Sequence, residues 1–278
     1  MSTDTGRIGT QGAFAVPVEE LPPPRPRRGG RAVAAVLGAV VVGGVALSAF
    51  GTMASTSSTT TREFPGAVTS LVVVTDTGEV RVREVPGRSG AQVVTTLSGY
   101  RSGPSADAGL TSGTLSLTGG CEGSAWPFPC SVSFDVEVPP GTDVDVASHT
   151  GDVDLAGTFP EVRAALRTGD LVWRDAAGES VEGRTSTGDV EVHGAVGEVL
   201  LATSTGAVRA ELTEAPRSVA VESSTGDVTV VVPRDGARYD ASTTTSTGDS
   251  TVQVPVDSTS DRRLRAETST GDVVLRHP

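Results

Sequence analysis

Thr185-Ser186-Thr187-Gly188-Asp189-Val190-Glu191-Val192 decides the fold, because its central turn is one of seven near-copies. The others are His149-Thr150-Gly151-Asp152-Val153, Arg167-Thr168-Gly169-Asp170-Leu171, Ser204-Thr205-Gly206-Ala207-Val208, Ser224-Thr225-Gly226-Asp227-Val228, Ser246-Thr247-Gly248-Asp249-Ser250 and Ser269-Thr270-Gly271-Asp272-Val273. Successive glycines are 18, 19, 18, 20, 22 and 23 residues apart. A near-constant period of this length marks a repeat architecture.

Aligning the copies on glycine exposes their columns. Seven residues before it stand Val144, Val162, Val181, Val199, Val219, Ala241 and Leu264, and five before it Val146, Ala164, Gly183, Leu201, Val221, Thr243 and Ala266. Two after it come Val153, Leu171, Val190, Val208, Val228, Ser250 and Val273. Alternation with a period of two is the strand signature. The predicted inward set runs −7, −5, −3, −1 and then +2, +4, so the phase slips by one at Gly-Asp. Such a slip turns every later side chain to the other face unless the backbone bends there. Glycine permits the bend, and aspartate can bond to backbone N–H groups nearby. The pattern predicts an all-β, solenoid-like domain over residues 141–278, with about seven rungs of 18–23 residues that share an aliphatic core. A hairpin meander or sandwich is the alternative. The final Val274-Leu275-Arg276-His277-Pro278 has the charge and proline that blunt an open sheet edge.

Working outward, residues 65–140 read as a less regular β cap region. Within it Ser70–Arg83, with Thr77-Gly78-Glu79-Val80, resembles a divergent first copy. Residues 55–64, Ser/Thr-rich, read as a linker. Residues 32–54 read as a transmembrane helix: Ala32 to Met53 carries no charge, and 22 helical residues reach about 33 Å, enough for a hydrocarbon core. A cleaved signal peptide is the rival reading. Ala35, Ala39 and Gly43 share one helix face, through which a homodimer could form. Residues 1–31 read as a disordered Pro/Arg-rich cytoplasmic tail, which leaves the repeat domain outside the cell membrane.

The net charge is −12. Arg7, Arg25, Arg27, Arg28 and Arg31 outweigh Asp4, Glu19 and Glu20 by two, so the remaining chain carries −14. So acidic a body is repelled by phosphates, which excludes nucleic acid as a partner. All 22 basic residues are arginine, and asparagine is absent.

Cys121 and Cys130 are the only cysteines, and in an exported domain they are expected to form a disulfide; redox pairs more often take a Cys-x-x-Cys spacing. Their loop carries Trp126 and Phe128, either a binding tip or a plug over the core. Asp152, Asp170, Asp189, Asp227, Asp249 and Asp272 share one column, where like charges a rung apart repel by about 1 kcal/mol in water. Backbone bonding at each corner or bound cations would offset that repulsion. No nucleophile elbow, metal-ligand spacing or phosphate loop accompanies His149, His193 or His277, so no enzyme activity, metal or cofactor is expected.

Leu115-Ser-Leu117, then Phe134-Asp-Val-Glu-Val-Pro-Pro-Gly-Thr-Asp-Val-Asp-Val146, then the Thr-Gly-Asp-Val repeats resemble the bacterial "putative adhesin" domain family with β-strand repeats, a family of unknown function. The resemblance covers about residues 65–278. It implies an extracytoplasmic, solenoid-like domain, membrane-attached or exported, in some members linked to envelope stress. The function expected is therefore a non-enzymatic, membrane-anchored surface protein that binds or scaffolds an unidentified envelope ligand. The alternative is a single-pass sensor that signals through the helix to the Arg/Pro-rich tail.

Overall fold

Valine and threonine are stiff, β-branched and well suited to a pleated surface, and every repeat places them in alternation on both sides of a glycine. The computed structural model describes residues 55–100, 103–121 and 130–278, which hold nineteen strands and no helix. The N-terminal region supplies β1 (Ser55–Phe64), β2 (Ser70–Thr77), β3 (Val80–Glu84), β4 (Ala91–Tyr100), β5 (Pro104–Thr111), β6 (Thr114–Cys121) and β7 (Ser131–Val138). The repeats supply β8 (Asp143–Thr150), β9 (Val153–Thr158), β10 (Glu161–Thr168), β11 (Leu171–Thr187), β12 (Val190–Thr205), β13 (Val208–Leu212), β14 (Ser218–Thr225) and β15 (Val228–Val231). The last four are β16 (Asp240–Thr247), β17 (Ser250–Val252), β18 (Arg263–Thr270) and β19 (Val273–Arg276).

Each repeat is a strand, a glycine corner and a second strand, and neighbouring repeats pair in parallel and in register. Val162 of β10 lies between Val144 of β8 and Val181 of β11; Val190 of β12 lies between Leu171 of β11 and Val208 of β13. The stack is thus solenoid-like. In-register parallel pairing aligns the aliphatic columns, so Val153, Val190 and Val228 are all buried in one continuous core. Gly183, the one glycine in the −5 column, makes room for two leucines: a Cβ there would lie 2.6 Å from Leu171 Cδ2 and 3.0 Å from Leu201 Cδ2. Trp173 is the largest core side chain. It packs on Phe159 with ring centroids 6.0 Å apart, and its indole N–H donates to the Gly157 carbonyl at 3.0 Å.

Several expectations change. The stretch 55–64 is strand β1, paired antiparallel with β4 along its length, rather than a linker. Threonine and serine suit an edge strand without any apolar face, and so left no alternation to read. Gly78 is a true corner: β2 pairs with β8 and β3 with β9. The antiparallel cap comes instead from β4 on β7, β1 on β4 and β5 on β6. Nor is β19 the edge. β18 pairs with β14 on one side and β16 on the other, and β19 lies between β15 and β17. The open end is therefore β16–β17. The proposed membrane helix, the tail before it, and Trp126 and Phe128 lie outside the described residues.

Candidate binding surface along the glycine corner

The corner is built by close approach of backbones. Gly151, Gly169, Gly188, Gly206, Gly226, Gly248 and Gly271 all have φ between +134° and +145°, a region L side chains rarely enter. A Cβ on Gly188 would stand 2.1 Å from the Gly169 carbonyl oxygen, and the same holds from rung to rung along the stack. That proximity lets each corner bond to the next: Gly169 N–H donates to Thr187 O at 2.9 Å, and Leu171 N–H to Asp189 O at 2.9 Å.

The aspartate column is held by its own backbone. Asp152 Oδ1 accepts the Asp170 N–H at 2.9 Å, Asp170 Oδ1 the Asp189 N–H at 2.8 Å, and Asp189 Oδ1 the Ala207 N–H at 2.7 Å. Beyond the Ala207 interruption, Asp227 Oδ1 takes the Asp272 N–H at 2.9 Å and Asp272 Oδ1 the Asp249 N–H at 2.8 Å. A carboxylate–amide bond is charge-assisted, which offsets the neighbour repulsion of about 1 kcal/mol without a cation. Among the described residues no group of three His, Cys, Asp or Glu side chains is placed to hold a metal.

Three residues before four of the glycines a buried hydroxyl completes the corner, whereas Leu166 holds that position before Gly169 and the buried Ser148 hydroxyl before Gly151 has no partner among the described residues. Thr185 donates to Gly169 O at 3.0 Å, Thr203 to Gly188 O at 2.9 Å, Ser223 to Gly206 O at 3.0 Å and Thr268 to Gly226 O at 2.9 Å. These hydroxyls satisfy carbonyls of the neighbouring rung instead of one another. The −1 threonines, expected inward, are exposed: Thr187, Thr205 and Thr225 stand on the outer edge of the bend. Alternation ends at −3 because the chain has begun to turn.

The result is a strip of exposed −2 serine, −1 threonine and +1 aspartate, repeated at the rung spacing of about 4.8 Å. Beside it runs a shallow groove of about 530 Å³, lined at successive rungs by Ser186, Ser204, Ser224, Ser269 and Ser246, with Arg184, Glu222 and Glu267. His149 lies exposed on the strip in place of a serine. The other histidines are elsewhere: His193 on β12, beyond Val192, and His277 with Nδ1 2.9 Å from Val232 O. Cys121 and Cys130 are disulfide-bonded with Cα atoms 5.9 Å apart, linking the end of β6 to the start of β7 where other rungs have the glycine turn. The strip itself was legible as a column, but the exposure of its threonines was not.

The family model described as Toastrack DUF4097 matches residues 107–276. No match is found among curated proteins. Among solved structures, a putative adhesin of Bacteroides fragilis NCTC 9343 is similar over 80% of this chain and 97% of its own, at 14% identity and a TM-score of 0.51. A putative lipid binding protein of Parabacteroides distasonis ATCC 8503 aligns over 79% of this chain and 96% of its own, at 10% identity and a TM-score of 0.40. A putative cell adhesion protein of Clostridium sporogenes ATCC 15579 aligns over 80% and 100%, at 9% identity and a TM-score of 0.34. At such identities the likeness concerns the fold alone.

Proposed function

The chain belongs to the Toastrack DUF4097 family, and from that premise we propose that it is a membrane-anchored surface protein whose repeat domain binds or scaffolds an envelope ligand without catalysis. The observation that carries this reading is the exposed hydroxyl and carboxylate strip, whose backbone is fixed by the bonds of the corners and whose carboxylates are held by the amide of the next rung. Polar groups held at a regular spacing favour a long, polar, repetitive ligand, because ordering them on binding costs little further entropy. The adhesin-like role rests on the shared fold of a protein described as a putative adhesin. The anchor rests on the uncharged run 32–53 behind an arginine cluster.

The test is to replace Ser186, Ser204 and Ser224 together by arginine in the full chain. All three side chains are exposed, so folding should be unaffected while the groove is filled and its charge reversed. Binding of the variant to isolated envelope fractions should fall well below that of the native chain at equal thermal stability. Undiminished binding would remove the strip from consideration. Protease access to the C-terminal domain on intact cells tests the orientation, and protection of that domain would count against a surface role.

A further inference from the structure

The last two rungs stand in the stack in the reverse of their chain order. Going outward, Gly226 is followed by Gly271, and Gly271 by Gly248. The segment Arg263–Arg276 therefore occupies a slot between two rungs that precede it in sequence. On one face Val219, Val221 and Thr225 of β14 register with Leu264, Ala266 and Thr270; on the other these register with Ala241, Thr243 and Thr247 of β16. The corner bonds run through on both sides. Gly226 N–H donates to Thr270 O and Gly271 N–H to Thr247 O, each at 2.9 Å.

Side-chain polarity explains the reversal. The inserted rung turns Leu264, Ala266, Val273 and Leu275 inward, all fully buried. The rung outside it has Ala241, Thr243, Ser250 and an exposed Val252 in the same columns, and it closes the end of the core with a Thr243–Ser250 hydroxyl bond of 2.7 Å. Stacked in chain order, the apolar rung would face solvent and the polar rung would be buried. Burying each Leu or Val side chain is worth about 1.5–3 kcal/mol, so the inserted order wins.

Insertion requires that the slot between β14–β15 and β16–β17 exist as a receptor for an extended segment. The segment reaches it through residues 253–262, whose Arg262 guanidinium holds the Ala215 and Pro216 carbonyls at 2.8 and 2.9 Å. We propose that this slot also accepts the Arg263–Arg276 segment of a second copy of the chain, giving a strand-exchanged pair. Every rung-to-rung contact of the closed form is reproduced in the exchanged form. Contact energies then cancel, and the balance is set by strain in the 253–262 connection and by concentration. A second copy is the fitting occupant because it supplies the same Leu264, Ala266, Thr268, Gly271 and Leu275 in the register that the slot already holds.

The experiment uses two full-length chains, one Glu222→Cys and the other Glu267→Cys. These positions face each other across β14–β18 and are exposed. The chains are unfolded with the native disulfide intact, refolded together over a range of concentrations, and mildly oxidised. A Glu222→Cys chain mixed with a Thr244→Cys chain is the control, since Thr244 lies one rung further out, opposite Glu267. Covalent heterodimer from the first pair should exceed the control about tenfold, because sulfur atoms two rungs apart are beyond disulfide reach. It should rise with concentration, as exchange between chains requires. Cross-linking at the control level, while a single chain carrying both cysteines closes internally, would overturn the proposal.

Discussion

A methyl group at Gly188 would meet the Gly169 carbonyl oxygen at 2.1 Å, and the φ of +142° would strain any L side chain even without that contact. Gly188→Ala is therefore expected to cost about 3 kcal/mol, as forced backbone strain and lost rung bonds do. Gly109→Ala, where a Cβ meets nothing within 4 Å, should be close to neutral, and denaturant titration of the two variants separates them. Equal losses would mean that the corner is not the constraint. Tyr239 presents the opposite situation: its ring is fully buried and its hydroxyl has no hydrogen-bond partner among the described residues. Burial first, and the nearby Asp235 charge second, raise its pKa above 10.0. In the unfolded chain the phenol ionises near pH 10 while the folded chain still holds the proton, so stability falls as pH rises through that window. Tyr239→Phe should thus gain about 1 kcal/mol at neutral pH by removing an orphaned polar group, and should lose less stability than the native chain above pH 10. Melting temperatures measured from pH 7 to 11 check both parts, and parallel curves would refute the assignment.

At the scale of the element, the aspartate ladder has one missing step. Ala207 breaks the column, so the carboxylate that the Asp227 N–H would meet is lacking. Ala207→Asp restores a charge-assisted bond worth about 1.5–3 kcal/mol at best, but places its charge between Asp189 and Asp227 at about 1 kcal/mol for each neighbour. The two nearly cancel at low ionic strength. Salt screens the repulsion and leaves the short bond, so the variant should be near neutral in dilute buffer and more stable than the native chain by about 1 kcal/mol in 1 M salt. Unfolding titrations at the two ionic strengths measure the difference, and a variant that stays destabilised in high salt would show that repulsion governs the column. The ladder also marks how far the sequence could be read. The −7, −5, +2 and +4 columns announce burial because they are aliphatic, and burial follows in every rung but the outermost, where Val252 is exposed. The −3 hydroxyls gave no sign of their carbonyl partners, since only coordinates place Gly188 O beside Thr203. The −1 threonines were misread because alternation was carried through a bend that ends it.

On the scale of the molecule, strand pairing within the stack was legible and the order of its ends was not. A period reports that rungs stack, but two neighbouring rungs with the same period can exchange places without altering it. One signal did exist: Ala241, Thr243 and Ser250 occupy inward columns with small or polar side chains, which suits an end rung and not an interior one. Eight glycine corners, from Gly78 to Gly271, repeat one backbone geometry along the stack. A surface binder and a sensor differ in whether the N-terminal tail is needed for output. Deleting residues 2–24 tests the choice while keeping Arg25, Arg27, Arg28 and Arg31 to hold the proposed orientation. A binder should retain its attachment to envelope fractions and leave stress-induced transcription as in the native strain. A sensor should keep attachment and lose the transcriptional response, since an output segment has gone while the exposed strip is untouched. The polar, backbone-fixed corner strip favours the first outcome, and a lost response with intact attachment would transfer the proposal to the sensor.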